Sequence, residues 1–179
     1  MQKVALLVHL LGVFGLISAL AIEVVAFSGL RRAKQTNQAK DWINILAKMG
    51  PFFGVSSILI LLGGFYLTWE FYNRGRDIGW VIVALITFII IGGNASHQGR
   101  RISNELLKAI SGAKESLSPA LIKKFSDFQH LKTIYFQMLM VLGIVVLMVF
   151  KPSIVWSIII ILLSALIGFG APRLILKPE

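Results

Sequence analysis

Two ionisable residues, His9 and Glu23, stand inside the first long apolar run of the chain, Val4 to Leu30. About 20 apolar residues suffice to cross a bilayer, so this run is long enough to span one. On one helix, their separation places the two groups roughly 21 Å apart at about 1.5 Å rise per residue. That separation is close to four turns, so both project from one side. Ala5, Gly12, Ala19 and Ala26 share that side, with Leu16 as its one large member. Small and polar side chains in one stripe mark a helix face packed on other helices. An ionisable group in such a helix is a candidate for function.

Each group admits more than one chemistry. The His9 imidazole could ligate haem iron or another metal, or relay a proton. It could equally hydrogen-bond a neighbouring helix through Thr68 or a backbone carbonyl. For a haem pair the nearest chemical candidate is Lys151, which must lose its proton to serve. Glu23 could pair with His97 or accept a hydrogen bond from Asn94, forming a proton-coupled or cation site. Alternatively it is a packing lock, or snorkels toward basic residues. His97 and His130 could share a metal, or stand as two surface histidines.

The rest of the chain supplies the elements that would position these groups. Of its 179 residues 56% are hydrophobic, and several apolar runs recur at membrane-spanning length. This composition predicts an all-α polytopic membrane protein, a single transmembrane domain built as a bundle of five helices. The expected spans are 4–30, 52–69, 80–97, 133–150 and 154–171. The first is read as a retained helix and not as a signal peptide, because its apolar stretch is long and its basic cluster follows it. Asp41 could cap a short helix ending at Gly50-Pro51, which lies at the interface or runs into the second span. Gly54, Ser57, Leu61, Gly64 and Thr68 form a small or polar stripe on that span. Ala84, Thr87, Ile91 and Asn94 do so on the third, and Ser157, Ser164, Gly168 and Ala171 on the fifth. Between spans three and four, residues 102–130 read as two amphipathic segments on the cytoplasmic side. They either lie on the membrane surface or form an ordinary helical loop. The first helix is expected to be central and to contact at least two others through its small stripe. Lys151-Pro152-Ser153 should break the last two spans with a tight turn.

Charge sets an orientation. The net charge is +10. Arg31, Arg32, Lys34, Lys40 and Lys48 fall in the first loop, seven further Lys and Arg between 100 and 132, and Arg173 and Lys177 in the tail. Only Lys3, Arg74, Arg76 and Lys151 fall on the other side. The positive-inside rule then puts the amino terminus outside and the carboxyl terminus in the cytoplasm, in the inner (plasma) membrane. Trp69, Trp80 and Trp156 fall at expected outer span ends, where an aromatic belt belongs. Charge confined to loops argues for the bilayer as partner and against nucleic acid. A homodimer or a larger membrane complex fits a bundle with so little interior. There is no cysteine, so thiolate chemistry and disulfides are excluded. There is no HExxH, P-loop or GxSxG motif.

One resemblance adds to this reading. The segment His9-Leu10-Leu11-Gly12-Val13-Phe14-Gly15, followed by Leu30-Arg31-Arg32-Ala33, resembles the first helix of a bacterial family of predicted integral membrane proteins of unknown function. The turn Leu147-Met148-Val149-Phe150-Lys151-Pro152 is similar to that family too. More distantly the chain resembles the copper-resistance D domain and the membrane protoporphyrinogen oxidases of the HemJ type. The latter resemblance implies a haem-linked role for His9, with haem b as cofactor. That pattern also includes a lysine within a neighbouring helix, and spans two and three here have none. The expected function is a haem- or metal-binding protein in a redox or cofactor-handling role. The alternatives are a small proton-coupled transporter using Glu23, Asn94 and His97, and a scaffold or accessory subunit without chemistry.

Overall fold

A backbone in lipid has no water to satisfy its N–H and C=O groups, so apolar runs of this length close their hydrogen bonds within helices. The computed structural model describes residues 1–111, 117 and 128–175, with side chains placed except at 94–103, 109, 111, 128–131 and 171–175. Among the described residues are five helices: α1 (Gln2–Arg32), α2 (Thr36–Tyr72), α3 (Gly79–Ser111), α4 (Phe128–Phe150) and α5 (Ile154–Ile175). Gln2–Arg32, Thr36–Tyr72 and Lys132–Phe150 are each long and apolar enough to cross a membrane. Gly79–Gly93 and Ile154–Gly170 are shorter apolar helical stretches. The chain is an all-helical membrane protein. Its lipid-facing surface is dense in large apolar side chains, among them Leu62, Phe65, Leu166 and Phe169.

α1 and α2 form an antiparallel hairpin joined by only three residues, and pack along most of the length of α1. α4 and α5 form a second hairpin around residues 151–153. There Lys151 takes φ 48° while its backbone N–H donates to the Leu147 carbonyl at 2.8 Å. α3 joins the hairpins, touching α2, α4 and α5. α4 in turn touches α1, α3 and α5. The centre of the bundle is therefore α3 and α4. α1 contacts two other helices, α2 and α4, as expected, but it is less enclosed than α3 and α4 and leaves Leu7, Leu11, Phe14 and Val25 exposed.

Three apolar clusters hold the helices. Leu16 and Leu20 of α1 meet Ile60 of α2 and Val141 of α4. Ala84 and Ile91 of α3 meet Met140, Ile144 and Leu147 of α4. The largest cluster lies at the basic end, where Phe27 and Leu30, Ile43 and Leu46, Leu106 and Ile110, and Ile134 converge from four helices. Leu117 joins it, and its backbone N–H reaches the Lys34 carbonyl at 3.4 Å.

Two local expectations change. Asp41 does not cap a separate helix, since α2 begins at Thr36. The short helix expected up to Gly50-Pro51 runs into the second span, one of its two expected courses, and α2 continues through Pro51, about 55 Å in all at about 1.5 Å per residue. Proline removes one ladder bond and crowds the preceding turn. Gly50 and Pro51 are exposed, while Ile43 and Leu46 before them and Ser56 and Ile60 after them are buried on neighbours. Packing on both sides carries the helix across. Likewise, the segment expected as a surface helix from 102 is the end of α3. Its Leu106 and Ile110 are buried in the bundle and not laid on lipid. The second expected segment, 118–127, lies outside the described residues.

Candidate functional site

The stripe on α1 is its contact face with α2. A Cβ at Gly12 would come within 2.7 Å of the Ile60 backbone nitrogen and 2.8 Å of the Ser56 carbonyl oxygen. A Cβ at Gly15 would meet the Ser56 hydroxyl at 2.5 Å. From the other side, a Cβ at Gly63 would lie 2.7 Å from the Ala5 carbonyl and 2.8 Å from the His9 Cβ. The two backbones thus approach through glycine at both ends of one contact, the arrangement that favours helix association in lipid. The face of α2 is Ser56, Ile60 and Gly63, all buried. The expected stripe is corrected: Leu61 is exposed, and nothing lies near a Cβ at Gly54. Of the expected set, Gly64 does reach α1, beside the His9 ring.

His9 fits the notch that Gly63 and Gly64 leave. Its Nδ1 stands 2.9 Å from the Ile60 carbonyl oxygen. A carbonyl only accepts, so Nδ1 carries the proton, and in the neutral ring Nε2 then holds the free lone pair. Thr68 does not serve His9: its hydroxyl donates to the Gly64 carbonyl of its own helix at 2.8 Å.

Lys151 sits elsewhere. Its Nζ lies 4.9 Å from the centroid of the Phe71 ring, and Arg76 lies 5.1 Å from the same centroid. The His9 ring lies beside Gly64, and Gly64 and Phe71 are about 10 Å apart along α2 at about 1.5 Å per residue. The structure does not bring His9 and Lys151 together as a ligand pair. Around them Tyr66 and Arg74 both contact Glu70, at 3.5 and 3.4 Å.

Glu23 is half-buried on α1, and among the described residues it has no hydrogen-bond or ion-pair partner. The register that sets Gly12 against Ile60 and Gly29 against Trp42 places it level with Lys48 and Met49. Asn94 and His97 fall within α3, and their side chains lie outside the described residues, as does that of His130. Among the described residues, no three of His, Asp and Glu are grouped to hold a metal ion.

Sequence reasoning did not assign Ser56 to a helix contact, and passed over Gly63 and Trp42. The signal for the first two was present in the paired glycines Gly12/Gly15 and Gly63/Gly64. Trp42 covers Gly29 so closely that any Cβ there would overlap its indole ring. Trp80 was expected only as a belt residue. Its indole N–H is buried, without a partner among the described residues, and its ring stands edge-on to Phe71 with centroids 6.2 Å apart. No known protein family, curated protein or solved structure matches the chain.

Proposed function

We propose that this chain is a five-span protein of the inner (plasma) membrane that acts as a scaffold or accessory subunit, with His9 as an interhelical lock. In this reading α3 and α5 also cross, the amino terminus is outside, and the basic end faces the cytoplasm. The observation that carries it is the docking of His9 into the Gly63–Gly64 notch, with its ring N–H given to the Ile60 carbonyl. A polar group in lipid is satisfied by one good partner, and here it has one. The basic-end core joins four helices into one packed end, as a structural role requires.

One observation favours a second reading, a haem or metal site. Ligating histidines almost always donate their other ring N–H to a carbonyl or carboxylate. The Nδ1 bond to Ile60 would leave Nε2 as the ligand, for haem b or another metal. Its partner ligand would come from a residue other than Lys151.

Visible spectra and unfolding of His9→Ala and His9→Gln separate the two. A glutamine amide can still donate to the Ile60 carbonyl. As a lock, His9→Ala lowers stability in detergent by about 1 kcal/mol, His9→Gln recovers most of that loss, and the wild type shows no Soret band. A Soret band that shifts with dithionite and vanishes in both variants would overturn the lock and establish the haem site.

A further inference from the structure

Where α1 ends and α2 begins, the hairpin leaves a groove of about 530 Å³. That is within the range of ligand sites, roughly 300–1,000 Å³. Its walls include Gly29 and Arg32 of α1 and Gln38, Asp41, Trp42 and Ile45 of α2. Arg32 and Asp41 bring opposite charges to one groove, yet among the described residues neither has an ion-pair partner. Gln38 is partly committed, since its Oε1 accepts from the Lys34 backbone N–H at 3.3 Å. The Trp42 ring is seated on Gly29 and is half-buried. Just before the groove, α1 exposes Ile22 and Val25, and Val25 is 59% exposed. The apolar lipid-facing surface of α1 therefore runs to within about one turn of Gly29 and gives way there to charge.

We propose that this groove holds the headgroup of a phospholipid carrying a primary ammonium group. The guanidinium of Arg32 takes the phosphate, for which its planar fork is suited. The carboxylate of Asp41 accepts hydrogen bonds from the ammonium. Trp42, an amphipathic ring at the boundary, packs on the glycerol region. The acyl chains lie along Val25 and Ile22. The pairing of charges selects the ligand. A choline headgroup has the same net charge but no N–H to give Asp41. A purely anionic headgroup would satisfy Arg32 but leave Asp41 without a donor. This inference goes beyond the scaffold role and does not depend on it.

The test is native mass spectrometry of the full chain in mild detergent with equimolar phosphatidylethanolamine and phosphatidylcholine. Because the two lipids carry equal net charge, the general attraction of a basic surface cancels. The expected result is about threefold more phosphatidylethanolamine adduct, the scale of one exposed ion pair. Asp41→Asn should erase the preference, Arg32→Gln should weaken retention of both lipids, and Lys40→Gln should change neither. Arg32 and Asp41 are exposed, so these variants should fold, and circular dichroism checks that they do. Equal retention by the wild type, or a preference that survives Asp41→Asn, would overturn the proposal. Displacement of the lipid by equimolar free phosphoethanolamine would overturn it too, by making the groove a site for a soluble ligand.

Discussion

Replacing Gly12 by leucine should separate α1 from α2 and lower stability in detergent by about 3 kcal/mol or more, the upper range for overpacking. The new Cβ would meet the Ile60 nitrogen at 2.7 Å and the Ser56 carbonyl oxygen at 2.8 Å. These are main-chain atoms of a long helix and cannot rotate aside as a side-chain tip would. The helices must move apart, and with them go the His9–Ile60 bond and the contact of Gly63 with Ala5. Gly54→Leu is the matched control. It adds the same side chain to α2 at a place with open space around it. It should leave stability within about 0.5 kcal/mol, as exposed substitutions usually do. Unfolding both variants in a graded series of denaturing detergent measures the difference. Equal effects would show that the backbones do not approach at Gly12.

The second large effect is expected at the basic end. Ile43 is fully buried, among Phe27, Leu30, Leu106 and Ile134. Ile43→Ala leaves a cavity where four helices meet, and such truncations cost about 2–5 kcal/mol. The loss should spread beyond α2. Backbone amides near Leu106 on α3 and Ile134 on α4 should exchange faster with solvent deuterium, since they share the cluster. Ile58→Ala, on an exposed part of the same helix, should do neither. If Ile43→Ala accelerated exchange in α2 alone, the basic end would not be one packed unit.

The sequence carried some of this plainly and some of it not at all. The α1 face could be read because one set of small residues kept three/four spacing from Ala5 to Ala26. On α2 two such sets compete, Gly54–Ser57–Leu61 and Ser56–Ile60–Gly63. Periodicity treats them alike, and only the docking of Gly12 and His9 chooses between them. Pro51 and the polar run at 94–97 both look like helix ends by local preference. Tertiary packing overrides both, because residues on each side of Pro51 and beyond 97 bury apolar side chains in the same bundle. The alternatives for His9 included a neighbouring helix's backbone carbonyl, and Ile60 supplies it. Which carbonyl depended on the hairpin register, which no single helix encodes. The sequence offers Lys151 only as the nearest chemical candidate to pair with His9. The α4–α5 turn instead carries its ammonium to Phe71, about three turns along α2 from Ile60.

The measurement that bears most directly on the five-span account is single-cysteine labelling in intact and permeabilised cells. The chain has no cysteine, so each introduced thiol reports alone. Asn73→Cys in the α2–α3 turn and Ser153→Cys in the α4–α5 turn should react with an impermeant maleimide in intact cells. Lys34→Cys in the α1–α2 turn and Lys177→Cys in the tail should react only after permeabilisation. Because α4 is long and apolar enough to cross, labelling of Asn73 and Ser153 from the same side requires α3 to cross as well. Ser153 reacting with Lys34, and not with Asn73, would mean that α3 does not span, and would contradict the account.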